Sequence, residues 1–191
     1  MVSVPIQLIS DLHLEIERGM KVDYDNFNIP ILAPTLALLG DIGVVEDARL
    51  FLFLRKLLGK FETILYVLGN HESYRATYVS VQQHHSYLLN SSRNFPIQIQ
   101  TLTIKRLENF EADIARERSE GANLGQFVFL NRKAWSPPSS PDLVVLGCTL
   151  WTQLNPGDLD ILTWSMTDFK QIEGMTPESS MMNSMFAIVA G

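Results

Sequence analysis

Apolar residues fall in short unbroken runs through the first half of the chain, and three of these runs stop in the same way. Leu65-Tyr66-Val67-Leu68 ends in Gly69-Asn70-His71-Glu72, Leu36-Ala37-Leu38-Leu39 ends in Gly40-Asp41, and Gln7-Leu8-Ile9-Ser10 ends in Asp11-Leu12-His13-Leu14-Glu15. Apolar runs of this length, closed by glycine and polar residues, read as buried strands. Strands over 6–10, 36–39 and 63–68 thus each deliver side chains able to do chemistry, and the simplest geometry sets their ends side by side at one edge of a sheet. In an extended segment, alternate positions share one side, so Asp11, His13 and Glu15 would line up there. One carboxylate and one imidazole can then face the same ion.

Between the second and third runs, Leu50, Phe51, Leu54, Leu57, Leu58 and Phe61 recur at helical spacing, with Gly59 and Lys60 where a helix end belongs. A helix over 46–61 makes strand, helix and strand a βαβ unit, which lays its strands parallel and brings their ends to the same edge. Further helices are expected over 77–89 and, from Ile104, Leu107, Phe110 and Ile114, over 102–118. The mixed charges of that last helix read as a solvated face. His84 and His85 read as an exposed helix face, because no carboxylate is spaced to join them as ligands. Short strands are expected over 127–130 and 143–148. Residues 17–34 and 131–142 read as loops, the second carrying the stiff Ser136-Pro137-Pro138-Ser139-Ser140-Pro141 stretch. Trp151 and Trp164 read as core or pocket-wall aromatics.

Composition narrows the partners. The 191 residues favour one globular domain, with 46% hydrophobic and 19% charged positions. A net charge of -6, without a run of lysine or arginine, argues against extended nucleic acid. A small phosphorylated substrate stays open, because bound divalent cations supply local positive charge that the sum omits. Cys148 is the sole cysteine, which fits a reducing compartment. Asp11, His13, Glu15 and Glu17 stand where a signal peptide needs an apolar core, and no apolar stretch approaches the roughly 20 residues of a membrane helix. A cytoplasmic protein without a membrane partner is the expectation. Asn90-Ser91-Ser92 then reads as a polar turn despite matching a glycosylation sequon. No glycine-rich phosphate loop follows the first strand, which disfavours a nucleotide-binding α/β protein.

Asp11-x-His13, Gly40-Asp41 and Gly69-Asn70-His71-Glu72, in this order with about thirty residues between them, resemble the signature of calcineurin-like metallophosphoesterases. Leu146-Gly147-Cys148-Thr149-Leu150-Trp151 and Asp168-Phe169 resemble later landmarks of small single-domain members, so the resemblance reaches about residue 178. It implies an α/β sandwich of mixed β-sheets flanked by helices, with two divalent metal ions (manganese, iron or zinc) at the strand ends. By matching position, Asp11 and His13 would bind the first metal, Asp41 would bridge both, and Asn70 would bind the second through its amide oxygen. A water or hydroxide between the metals would attack phosphorus in a phosphomonoester or phosphodiester. His71 would hydrogen-bond the phosphate or protonate the leaving oxygen, and Glu72 would orient His71.

The chain departs from the family after residue 85, where neither a strand-end His motif nor a Gly-His-x-His motif follows. The expectation is an incomplete phosphoesterase domain over 1–178, lacking C-terminal strands and motifs and exposing apolar edges they would cover, with a non-family tail over 179–191. Two functions are open on this reading. One is metal-dependent phosphoester hydrolysis, and the other is a catalytically impaired homologue acting as a metal-binding or interaction module.

Overall fold

The computed structural model describes residues 4–16, 24–74, 95–149, 155–172 and 175. Strands β1 (Ile6–Ile9), β2 (Thr35–Leu39), β3 (Thr63–Val67) and β4 (Gln126–Phe129) form one sheet in the order β1-β2-β3-β4. All three pairings are parallel, in registers that include Ile9 with Leu38, Leu39 with Val67, and Tyr66 with Phe129. The ends of β1, β2 and β3 therefore share one edge, as the three motifs require. Helix α1 (Ala48–Leu58) makes the crossover from β2 to β3, and α2 (Phe95–Ser119) precedes β4. The Asp47 side chain accepts the Arg49 N–H and starts α1, and Gly59 stands just past its end.

Strand alternation splits the core into two layers. Leu36, Leu38, Ile64, Tyr66, Phe127 and Phe129 face one way and pack with Leu50, Leu54, Leu57, Leu107 and Ile114 from the two helices. Ala37, Leu65 and Val128 face the other way and pack with Leu130 and Trp135. Trp135 ends β5 (Lys133–Trp135), which pairs antiparallel with β6 (Val145–Gly147). Helices α3 (Leu159–Ser165) and α4 (Asp168–Gln171) follow, and Ile172 and Met175 pack with Val44 and Tyr74 near the sheet edge. Among the described residues, no helix is long and apolar enough to cross a membrane.

The structure corrects several expectations. Among the described residues the first strand is an edge strand, not a buried one: β1 pairs there with β2 alone, and Leu8 is 65% exposed. The apolar 143–148 run forms a three-residue strand of the two-stranded sheet, with Val144 and Leu146 exposed. Its partner β5 lies inside the stretch read as a loop, because Lys133-Ala134-Trp135 is too short to show alternation. Trp164 is a surface residue, 80% exposed, rather than a wall. Helix α2 begins at Phe95, well before the expected start at 102. The expected helix over 77–89, His84, His85, the Asn90 sequon, Trp151 and the 179–191 tail lie outside the described residues.

Candidate metal centre

The loop leaving β1 runs along the loop leaving β2. The N–H groups of Asp11, His13 and Leu14 donate to the carbonyls of Gly40, Asp41 and Ile42 at 3.1, 2.9 and 3.1 Å. Asp11, His13 and Asp41 have φ of 55, 49 and 53°, in the left-handed region that side-chain-bearing residues seldom adopt. The expected extended segment is thus a succession of left-handed turns. Each costs about 1–3 kcal/mol, and residues held this way cluster at functional sites.

Two glycines let the second and third loops touch. Gly40 has φ of 88°, and a Cβ there would lie 2.8 Å from the Gly69 nitrogen. A Cβ on Gly69 would overlap the Asp41 carboxylate. The Gly-Asp and Gly-Asn-His patterns therefore encode a backbone contact that only glycine permits.

The Glu72 carboxylate fastens this contact from inside. Glu72 lies in a 3-10 turn (His71–Ser73) and is fully buried. It accepts the N–H groups of Asp41 (3.1 Å), Ile42 (2.9 Å) and Gly69 (2.8 Å) and the Tyr66 hydroxyl (2.9 Å). Burial pushes its carboxyl above the usual range, while the bonds from Ile42, Tyr66 and Asp41 pull the other way. None of these bonds reaches the His71 ring. The orienting role expected of Glu72 toward His71 is not where the structure places it, since Glu72 splints the two glycine loops instead.

Two groups of ligand atoms result. Asp11, His13 and Asp41 bring atoms within 4.8 Å of one another, as do His13, Glu15 and His71. Among the described residues, the Asp11 carboxylate and the second Asp41 carboxylate oxygen have no hydrogen-bond partner, and the other Asp41 oxygen accepts the His71 N–H at 2.9 Å. Two carboxylates and an imidazole suit a divalent cation of the manganese, iron or zinc kind, so this donor set fits the metal expected there.

Asn70 reaches the same edge from the third loop. Its Nδ2 donates to Asp168 Oδ1 at 2.6 Å and to the Tyr74 hydroxyl at 3.0 Å, and Tyr74 in turn donates to the same Asp168 oxygen. A carboxylate only accepts, so the amide nitrogen must face Asp168 and the amide oxygen must face away. Burial and the Asp168 carboxylate push the Tyr74 hydroxyl well up, keeping it a donor.

His71 is held on every side. Its ring stacks on Tyr74 at 4.1 Å between centroids, meets His13 edge-on at 4.3 Å, and sets Nδ1 2.7 Å from Glu15 Oε1. His13 Nδ1 lies 3.2 Å from His71 Nδ1 and 3.6 Å from Glu15 Oε1.

Sequence reasoning passed over three residues that matter here. Glu15 completed the alternating trio but received no role, and Tyr74 carried no motif. Asp168 was only a landmark, because its partner Asn70 lies 98 positions away in the chain. The other landmark also comes to the site, since the Thr149 hydroxyl donates to the Leu68 carbonyl at 2.8 Å.

Comparison with known protein families finds no match. An uncharacterized protein, L509, of Acanthamoeba polyphaga mimivirus is 26% identical over 176 residues, covering 88% of this chain and 51% of that protein. The crystal structure of phosphopantetheinyl hydrolase (PptH) from Mycobacterium tuberculosis superposes with a TM-score of 0.53 at 16% identity, covering 97% of this chain and 62% of that one. The chain thus shares a fold with that structure and spans about half the length of the viral relative.

Proposed function

We propose that the protein is a metal-dependent phosphoester hydrolase of the calcineurin-like kind, acting on a small phosphomonoester or phosphodiester. The observation that carries this reading is the convergence of Asp11, His13 and Asp41 within 4.8 Å at the end of a parallel sheet. Likeness in fold to a protein named as a hydrolase supports it.

Asp11, His13 and Asp41 would hold one divalent cation, and Asp41 with the Asn70 amide oxygen would hold a second. Bound there, such cations lower the pKa of water and stabilise the negative charge that grows on a phosphoryl group in hydrolysis. The protein's own groups do the rest. Left-handed turns at Asp11, His13 and Asp41 aim three side chains at one point before any ligand arrives, so little reorganisation is left for binding. Asp168 and Tyr74 keep the Asn70 amide nitrogen occupied and its oxygen presented. His71, its ring fixed by Tyr74 and Glu15, contacts the phosphate or gives its proton to the leaving oxygen. With a net charge of -6, attraction for a phosphorylated substrate would come from the loaded site rather than from the surface.

The test is hydrolysis of bis-p-nitrophenyl phosphate by the 191-residue chain, stripped of metal and titrated with Mn2+. Turnover that requires Mn2+ and disappears in Asp41→Asn supports the reading. A folded chain with no turnover at saturating Mn2+ refutes it.

A further inference from the structure

Glu15 presents an unusual combination. It is 8% exposed, one oxygen takes the His71 Nδ1 at 2.7 Å, and the other, Oε2, is buried with no hydrogen-bond partner. A half-satisfied buried carboxylate lowers stability, so a packing role does not explain it.

The rest of the His71 environment gives the carboxylate a task. Tyr74 stacks on one side of the ring, His13 closes an edge, and the His71 main-chain N–H is tied to Asp41. These contacts fix where the ring lies but not which nitrogen carries its hydrogen. Nδ1 has two neighbours, Glu15 Oε1 at 2.7 Å and His13 Nδ1 at 3.2 Å. The carboxylate is the shorter contact and only accepts, whereas the imidazole nitrogen can donate or accept, so Glu15 is the group that keeps hydrogen on Nδ1. Among the described residues, Nε2 is left without a protein partner. The loop geometry delivers Glu15 there, since the bonds from His13 and Leu14 to Asp41 and Ile42 anchor the preceding residues.

We propose that Glu15 is the positioning residue for His71, locking the imidazole with hydrogen on Nδ1 and leaving Nε2 as the nitrogen that meets substrate. Its catalytic consequence rests on the phosphoester-hydrolase reading. As water adds to phosphorus, one of its protons passes to Nε2, and as the P–O bond breaks the ring gives that proton to the leaving oxygen. Nε2 thus ends as it began, and Nδ1–H stays on Glu15 throughout.

The experiment has two arms. In the first, 15N NMR of the imidazoles reports the His71 tautomer in the whole chain, with Glu15→Leu and Glu15→Gln as variants. Wild type is expected in the Nδ1–H form, and Glu15→Leu is expected to shift largely to Nε2–H. Both variants should bind Mn2+ as wild type does, and Glu15→Leu should melt no lower, since the orphaned oxygen is gone. An unchanged tautomer in folded Glu15→Leu overturns the proposal. So does a tenfold or greater loss of Mn2+ affinity, which would make Glu15 a cation ligand beside His13 and His71.

The second arm compares bis-p-nitrophenyl phosphate with diphenyl phosphate, whose leaving group needs a proton more. Glu15→Gln is expected to lower kcat for the diphenyl ester about tenfold to hundredfold, with little change in KM or in p-nitrophenyl turnover. Equal losses on both substrates overturn the catalytic role. If wild type hydrolyses neither ester, the hydrolase reading fails, while the NMR arm still decides whether Glu15 positions His71.

Discussion

The Glu72 carboxylate lies 3.1 Å from the main-chain nitrogen of Asp41, thirty-one positions away in the chain, and so ties the loop after β3 to the loop after β2. The same group takes the N–H of Gly69 and of Ile42. A single buried side chain thus sets the spacing of the two loops that carry Asp41 and Asn70. Glu72→Gln keeps the volume but turns an amide N–H2 toward groups that already donate. It should lose about 2–4 kcal/mol of unfolding free energy, measured by urea denaturation, and weaken Mn2+ binding along with it.

Gly40 carries the same contact from the other side. Gly40→Ala imposes a Cβ at a positive φ and against the Gly69 backbone. The loops must part or the strand end must shift, and a destabilisation of about 2–4 kcal/mol is expected. Gly121 also has a positive φ, 98°, but meets nothing within 4 Å. Gly121→Ala should therefore cost only the backbone strain, about 1 kcal/mol, in the same urea measurement.

Much of this was legible in the sequence. The parallel β2-α1-β3 unit follows from apolar runs and helical spacing, and Asp11, His13 and Asp41 stand out as ligand-type residues at strand ends, with their metal roles implied by resemblance to a family signature. What escaped notice depends on contacts between distant positions. Glu72 stands beside His71 in sequence, which makes an orienting pair the natural guess. The 3-10 turn sends its side chain inward to Tyr66 and Ile42 instead. Glu15, two residues from His13, takes the His71 ring because left-handed turns at 11 and 13 redirect a segment that alternation alone treats as extended. Asp168 illustrates the same limit, because nothing local in Asp168-Phe169 says that its carboxylate meets Asn70.

Asp168 is accordingly expected to act through the Asn70 amide. Asp168→Ala leaves Nδ2 with the Tyr74 hydroxyl alone, so the amide is freer to turn its nitrogen toward the site. Mn2+ affinity measured by calorimetry should fall about tenfold, with a larger effect on a second equivalent of metal than on the first. Asp168→Asn should lose less, because its carbonyl oxygen can still accept from both Asn70 and Tyr74, though without the carboxylate's charge.

Helices α1 and α2 are joined at the surface by Arg55 and Glu117, whose groups meet in a two-point pair. Bonding to Arg55 holds the Glu117 carboxyl below its usual range. A carboxylate lowered in the folded state stabilises above its unfolded pKa and loses that contribution as pH falls through the folded one. The melting-temperature difference between wild type and Glu117→Gln should therefore be small and constant at neutral pH. It should vanish as pH drops below the ordinary glutamate range, and shrink in high salt.

The most direct test of the account is calorimetric titration of the metal-free chain with Mn2+, beside Asp11→Asn and Asp41→Asn. Wild type should bind saturably, and each variant should stay folded and lose about tenfold or more in affinity. Binding that is absent in folded wild type, or unaffected by either substitution, would contradict the assignment of this sheet edge as a metal centre.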